Sequence, residues 1–487
     1  MELGKLRKLC LLSSFVLSVT FAHIVLAQGK SGKVQEPSLL TDKDMQTAAW
    51  IRDSSIGDNR SYQILESLTT EVGARMAGSP GDARAVAWAE AKFRELGFDK
   101  VWKEPVSFPS WKRGVETAEI TAPFPQQLTI TALGNSVATP GNGVDAEVVH
   151  FASLQELIAA APERVRGKIV FINHRMQSAN EYGMVVQGRS RGASEAARKG
   201  AVAMMLRSVG TDSHRLPHTG VMSYDEGVQK IPAAAMSNPD ADLLMRMLKR
   251  GKPVRVHLNI GAVPGEIMTS YNVIGEITGT ELPNEYVLIG GHLDSWDLGT
   301  GAIDDGAGCA ITMAAAEYVQ RQGLKPRRSI RVVLFANEEQ GLFGGKAYLQ
   351  AHQSQIAQIQ AAAEADLGQG PVTKISSFVR PEAFAIVKQI QTVLQPLGIE
   401  SGDNNAFPGP DMGDLRNAGA ASFGLALKSD DYFHLHHTPD DTFDKIEPAR
   451  INQATAAYAT FAWMAAQSPV HFGSGSAALI KSKGAGR

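Results

Sequence analysis

The sequence predicts an α/β fold: a mostly parallel central sheet covered by helices on both faces, with a smaller α/β module inserted into it. Three observations carry this. The runs "YVLIGG" (286–291) and "SIRVVLFA" (329–336) are almost wholly apolar, as strands buried on both faces are. Between them, "GCAITMAAAEYVQRQG" (308–323) has helical period and ends at Gly323. Upstream, from 125 to 262, a second set of short apolar runs alternates with short helix-like pieces. A chain of 487 residues that is 44% hydrophobic has ample material for both.

Residues 1–27 read as a secretory signal peptide. Lys5, Arg7 and Lys8 precede an apolar run from Leu9 to Leu26, and cleavage is expected after Ala27. The protein is therefore expected to be secreted or periplasmic. No later stretch is long and apolar enough to span a bilayer, so no membrane association is expected after cleavage. Of the two cysteines, Cys10 lies in the signal, leaving Cys309 without an internal disulfide partner. Cys309 reads as a small buried residue on a helix face. The net charge of −2 and the lack of a basic tract exclude a nucleic-acid partner.

Residues 28–40 read as a flexible leader. The main domain begins at 41 and its first part runs to 124. Ser79-Pro80 is an N-cap followed by proline at the first helical position, and Val86, Ala89, Phe93 and Leu96 follow at helix spacing. "DKVWKEPVSFP" (99–109) is strand-like. The inserted module, 125–262, holds the strands "AEVVHF", "GKIVFINH", "AVAMMLRS", "IPAAAMS" and "PVRVHLNI", with Pro264-Gly265 as its closing boundary. The second part of the main domain, 263–470, closes on the helix "INQATAAYATFAWMAA". Residues 471–487 read as a flexible tail.

In a parallel sheet, functional residues gather beyond the carboxyl ends of the strands. "YVLIGG" is followed by His292 and Asp294, with Asp304 and Asp305 at the start of the next helix. Asn337, Glu338 and Glu339 follow "SIRVVLFA", and Asp366 follows "QIQAAAEA". His434, His436 and His437 follow "ASFGLALK". Each group alone has a bland reading as a cap, a solvated face or a surface patch. Jointly they bring carboxylates and imidazoles to one edge, where that much negative charge needs cations. Calcium prefers all-oxygen ligands, and "DSWDLGTGAIDD" lacks the closing glutamate of a calcium loop. The histidines favour zinc or a similar metal.

"GGHLDSWDLGTGAIDDGAG", "ANEEQGLFGG", "EAD" and "HHTPDDT" resemble the signature of the dizinc aminopeptidase-like metallopeptidases. "LTTEVGARMAGSPGD" (68–82) is part of the likeness, which extends over most of the chain, and the inserted module resembles a protease-associated domain. The resemblance implies two Zn²⁺ per chain in a zinc exopeptidase fold. It implies that His292 and Asp366 bind the first ion, Glu339 and His437 the second, and that Asp304 bridges them. His436 is the alternative to His437. Two divalent ions against three carboxylates leave one positive charge, which a bridging hydroxide would neutralise. Glu338 would be the general base, and Asp294 would hold His292 in its metal-binding tautomer.

Asp305 is expected to cap the helix that begins nearby. Asp297 and Asp440 are expected to be solvated or structural, and Trp296 either lines a pocket or packs. The implied activity is hydrolysis of dipeptides or short peptides with a free N-terminus. Aminopeptidase action on longer peptides and a non-catalytic binding protein are the alternatives. A homodimer is suggested by the resemblance alone.

Overall fold

The computed structural model describes residues 39–476. The expected signal peptide, residues 28–38 of the leader and residues 477–487 of the tail lie outside the described residues. The remainder of both end segments is held. Leu40 is buried, and its N–H donates to Gln389. Phe472 is fully buried against Phe423, so the tail begins later than the expected 471.

An eight-stranded sheet forms the centre. Its order is Lys100–Lys112, Val263–Ile277, Arg328–Phe335, Leu282–His292, Ile359–Glu364, Ser422–Leu427, Val372–Phe378 and Glu400–Ser401. The four strands from Arg328–Phe335 to Ser422–Leu427 run parallel, and antiparallel pairings flank them on both sides. Alternate residues of Leu282–His292 enter different cores. Val287 and Ile289 pack with the helices Ala307–Arg321 and Pro448–Gln467. Tyr286 and Leu288 pack with Tyr348, Met412 and Leu415 on the other face. Cover on both faces is why these strands read as unbroken apolar runs. Helix Ala307–Arg321 is buried all round as far as Val319, which places Cys309 in the core.

The second sheet has the order Gln126–Leu128, Glu116–Ala122, Arg255–Ile260, Val144–Phe151, Ile169–Ile172, Ala203–Arg207, Ala233–Met236 and Ile130–Ala132. Its first strand, Glu116–Ala122, pairs with Arg255–Ile260. The module therefore starts ahead of Glu116 rather than at the expected 125. "ETAEITA" alternates polar and apolar residues and carries no mark of which sheet it joins. Entry and exit cross at Gly114 and Gly261, where a Cβ on Gly114 would lie 2.1 Å from the Gly261 oxygen. Pro264-Gly265, expected as a boundary, instead lies inside the strand Val263–Ile277. Residues 263–271 of that strand pair with Lys100–Lys112 and not with Arg328–Phe335, so proline is tolerated at an open edge.

Among the described residues, no helix is long and apolar enough to cross a membrane.

Candidate metal centre

The four parallel strands end at one edge, and the loops that follow converge there. After Leu282–His292 the chain turns through 293–301 under the fully buried Arg75. That guanidinium donates to the carbonyls of Leu293, Thr300 and Gly301. The turn delivers Asp304 and Asp305 to the head of helix Ala307–Arg321. Asp305 caps that helix by accepting from Gly308 N–H at 3.0 Å. Its other oxygen accepts from His292 N–H at 3.0 Å, so one buried carboxylate fixes both the helix and a cluster residue. The helix approaches the strand end closely: a Cβ on Gly308 would lie 1.7 Å from the Ala365 oxygen.

His292 Nε2 lies 3.1 Å from Asp304 Oδ1 and 3.9 Å from Asp366 Oδ1. His437 Nε2 lies 3.1 Å from Asp304 Oδ2 and 3.1 Å from Glu339 Oε2. His292, Asp304 and Asp366 thus form one triad, and Asp304, Glu339 and His437 a second; within each, the ligand atoms lie within 4.8 Å of one another. Asp304 belongs to both. All five expected ligands are brought together.

His437 joins the cluster, whereas His436 lies outside both triads, stacked on Tyr432 at 4.9 Å. His434 is exposed. The Nδ1 of His437 faces the Thr219 carbonyl at 3.2 Å, and Thr219 N–H donates to the His437 carbonyl at 3.0 Å. The inserted module therefore grips this histidine from both sides of its residue. With Nδ1–H assigned to Thr219, Nε2 presents its lone pair to the carboxylates. His437 adopts a left-handed φ of 62° and Asn337 one of 54°, a conformation non-glycine residues enter where surrounding contacts hold them.

Asp294 acts differently from expectation. The His292 Nδ1 faces the Asp294 main-chain oxygen at 3.1 Å, and the Asp294 carboxylate is farther, at 3.6 Å. That carboxylate accepts instead from the N–H groups of Glu338 at 3.0 Å and Glu339 at 3.4 Å. It reaches the cluster through the loop that presents both glutamates. Their side chains diverge: Glu339 enters the second triad, and Glu338 is partly open to the cavity above.

The electrostatics fit a cation. Burial, with repulsion from Asp304 and Glu339, pushes the Asp366 carboxyl up to about 7. Burial raises Glu338 and Glu339 as well. Asp304 moves the other way: burial would raise it, but the His292 and His437 rings packed against it hold it well below the usual carboxylate range. Asp304 Oδ2, Glu339 Oε1 and Asp366 Oδ1 are buried without a hydrogen-bond partner among the described residues. Buried carboxylate oxygens without donors, facing imidazole nitrogens, are a donor set that divalent zinc would satisfy.

Besides Thr219, four supporting residues carry no signal in the sequence. Asp441 accepts from Ile303 N–H at 2.6 Å and Asp304 N–H at 3.1 Å, and so places the shared ligand. Burial pushes its carboxyl up to about 7. Glu364 and Asp411 are buried behind the site. Glu364 accepts from Asp411 N–H, and Asp411 accepts from Gly345 N–H. The fourth is Arg75.

Of the residues expected to be structural, Asp297 pairs with Arg113 through two hydrogen bonds, at 2.8 and 2.9 Å. Asp440 pairs with Lys445 at 2.9 Å. Trp296 is buried against Trp111, its ring 5.9 Å from that of His437. A cavity of about 800 Å³ lies over the cluster, lined by Asp304, Glu338, Glu339, Asp366 and His437 from the main sheet and by Tyr182, Arg189 and Val221 from the module.

A parallel sheet bearing this cluster at its carboxyl edge defines a metallopeptidase of the zinc exopeptidase fold. The model of peptidase family M28 matches residues 272–462. The chain is 48% identical to a peptidase M28 precursor from Shewanella amazonensis SB2B, whose structure superposes with a TM-score of 0.86, covering 88% of this chain and 98% of that one. It is 40% identical over 410 residues to carboxypeptidase Q of Rattus norvegicus, covering 84% of this chain and 85% of the rat protein. An aminopeptidase from Aneurinibacillus sp. strain AM-1, 21% identical, shares the fold with a TM-score of 0.61, covering 88% of this chain and 99% of that one. The chain belongs to peptidase family M28.

Proposed function

We propose that this protein is a zinc-dependent exopeptidase that hydrolyses dipeptides or short peptides with a free N-terminus, the activity implied by the resemblance of its motifs to the dizinc metallopeptidases. The observation that carries the reading is the pair of triads sharing Asp304, with Glu338 on the wall of the same cavity. In this reading His292, Asp304 and Asp366 hold one ion, and Asp304, Glu339 and His437 hold the other. Zinc bound there supplies Lewis acidity to the scissile carbonyl and to the attacking water. Glu338 takes a proton from that water as its oxygen adds to the carbonyl carbon. It returns the proton to the amide nitrogen as the C–N bond breaks. Asp294 positions Glu338 by holding its amide, and Asp305 and Asp441 hold the backbone of His292 and Asp304. A cavity of this size suits a short peptide. The signal-like N-terminus supports a secreted or periplasmic location.

The test is Glu338→Gln, assayed on a dipeptide alongside metal analysis. The variant is expected to keep the wild-type zinc content and lose turnover by at least roughly 100-fold, as the loss of a general base does. Retained turnover would remove the base assignment. Unchanged hydrolysis after exhaustive chelation would remove the metallopeptidase mechanism.

A further inference from the structure

The five proposed ligands do not share one support. Asp305 holds the His292 amide, Asp441 that of Asp304 and Asp294 that of Glu339, and Asp366 follows the main-sheet strand Ile359–Glu364. These supports belong to the main domain. His437 takes its support from the module, where the Thr219 carbonyl faces its Nδ1 and the Thr219 N–H donates to its carbonyl. Arg189 Nη1 also lies 3.4 Å from that Nδ1, but a guanidinium offers no acceptor for the ring proton.

Thr219 is fixed in turn by Arg113, in the linker between Lys100–Lys112 and the first module strand, Glu116–Ala122. The Arg113 side chain is 10% exposed, and all five of its N–H donors are used. Nε and Nη2 form a fork on Asp297 at 2.8 and 2.9 Å, and Nη2 also donates to Thr219 Oγ1 at 3.1 Å. Nη1 donates to Thr131 Oγ1 at 2.6 Å and to the Ala132 carbonyl at 2.7 Å, with the Glu116 carboxylate 3.4 Å away. Thr219 Oγ1 donates to the same Ala132 carbonyl at 2.9 Å. One planar group thus ties several points of the module to the loop 293–301, beside the crossing of Gly114 and Gly261. A second contact runs in parallel. Trp296, next to Asp297 in that loop, is wedged between the module and His437: a Cβ on Gly134 would lie 2.2 Å from its ring, and the ring of His437 is 5.9 Å away.

We propose that Arg113 is a positioning residue that links the seating of the module to occupancy of the ion site at His437, and leaves the site at His292 independent of the module. This rests on the two-ion reading above. Arg75 already fixes the loop 293–301, so the fork on Asp297 holds the module to a rigid base. Without Arg113, Thr219 keeps its bond to Ala132, but this part of the module loses its tie to the loop. His437 then loses a fixed acceptor for its Nδ1 proton, and with it the ring orientation that aims Nε2 at Asp304 and Glu339. His292, Asp304 and Glu339 keep their own holds. The link is reciprocal: an ion that fixes His437 also fixes Thr219, and so favours the seated module. Lysine is no substitute at 113, because a point charge cannot make the planar fork.

The experiment isolates each site. His437→Ala leaves the first triad to bind one ion, and Asp366→Ala leaves the second. Zinc affinity is measured in each by competition with a chromophoric chelator, with and without Arg113→Gln. In the Asp366→Ala background, Arg113→Gln is expected to weaken zinc binding by roughly 10- to 100-fold, the cost of losing a group that orients a ligand. In the His437→Ala background the affinity is expected to hold. A purely structural Arg113 would weaken both backgrounds alike or neither; either result would overturn the proposal and leave the two-ion reading standing. If Arg113→Gln does not fold, hydrogen exchange of the two parent variants decides. Zinc is expected to slow exchange of the Thr219 amide in Asp366→Ala and not in His437→Ala. Equal protection in both, or none in either, overturns the proposal as well. A wild type that binds no zinc removes both readings.

Discussion

Asp441→Asn isolates how the shared ligand is held. The carboxylate of Asp441 accepts from Ile303 N–H at 2.6 Å and from Asp304 N–H at 3.1 Å. Asparagine is nearly the same shape but offers one acceptor oxygen; its amide nitrogen must face one of the two N–H groups. The shorter bond to Ile303 is the one the oxygen keeps, so Asp304 loses its tether. A hydrogen bond to a charged acceptor contributes about 1.5–3 kcal/mol. That range corresponds to a loss of roughly 10- to 100-fold in zinc affinity, the usual cost of removing a group that orients a ligand. Because Asp304 belongs to both triads, the two sites are expected to weaken together.

The metal-free protein should not weaken in parallel. Burial, and repulsion from Asp304, push the Asp441 carboxyl up to about 7, and asparagine carries no such cost. The assay is competition with a chromophoric chelator for zinc, paired with thermal denaturation of the chelated protein. Wild-type affinity at both sites would refute the reasoning. A metal-free protein destabilised as strongly as the metal is weakened would also refute it, by showing a general fold defect.

Two further outcomes follow from the same geometry. The Asp411 carboxyl is raised to about 8, chiefly by burial. The folded state therefore keeps a proton that the unfolded state releases near pH 4. Stability is expected to fall as pH rises between those values, by about 1.4 kcal/mol per pH unit. Measured by denaturant unfolding of the chelated protein, wild type should lose stability relative to Asp411→Asn between pH 5 and pH 7; a gain would contradict the assignment. Gly308→Ala should destabilise by roughly 3 kcal/mol or more, because its Cβ would meet the Ala365 oxygen at 1.7 Å and overwhelm the ~1 kcal/mol that alanine gains in a helix. A variant with an unchanged melting temperature would show that the helix can retreat from the strand end.

The strands that carry the site are legible because burial on both faces leaves apolar runs, and the charge that follows each run stands out. The neighbourhoods of His292, Asp304, Glu338, Glu339 and Asp366 are legible this way, whereas the selection of these residues among their charged neighbours, and of His437 by its place before "TPDDT", comes from the family resemblance. What escapes is support delivered across long chain separations. Arg75 acts more than 200 residues from the carbonyls it holds. Asp441 acts on amides 137 and 138 residues away. Thr219 acts through its main chain, which no side-chain pattern reports. Glu364 hides inside a run correctly read as a strand. Asp294 illustrates a subtler limit: proximity to His292 suggests a direct contact, but its carboxylate turns to the amides of the facing loop. The start of the module escapes because a short alternating strand suits either sheet.

One buried cluster is proposed to hold two zinc ions through a shared Asp304. Crystals of the zinc-loaded protein, measured on both sides of the zinc absorption edge, test it directly. Two anomalous peaks are expected. One should lie about 2.0–2.2 Å from His292 Nε2 and from carboxylate oxygens of Asp304 and Asp366, the other at the same range from His437 Nε2 and from Asp304 and Glu339. A single peak at saturating zinc, or peaks that do not share Asp304, would contradict it.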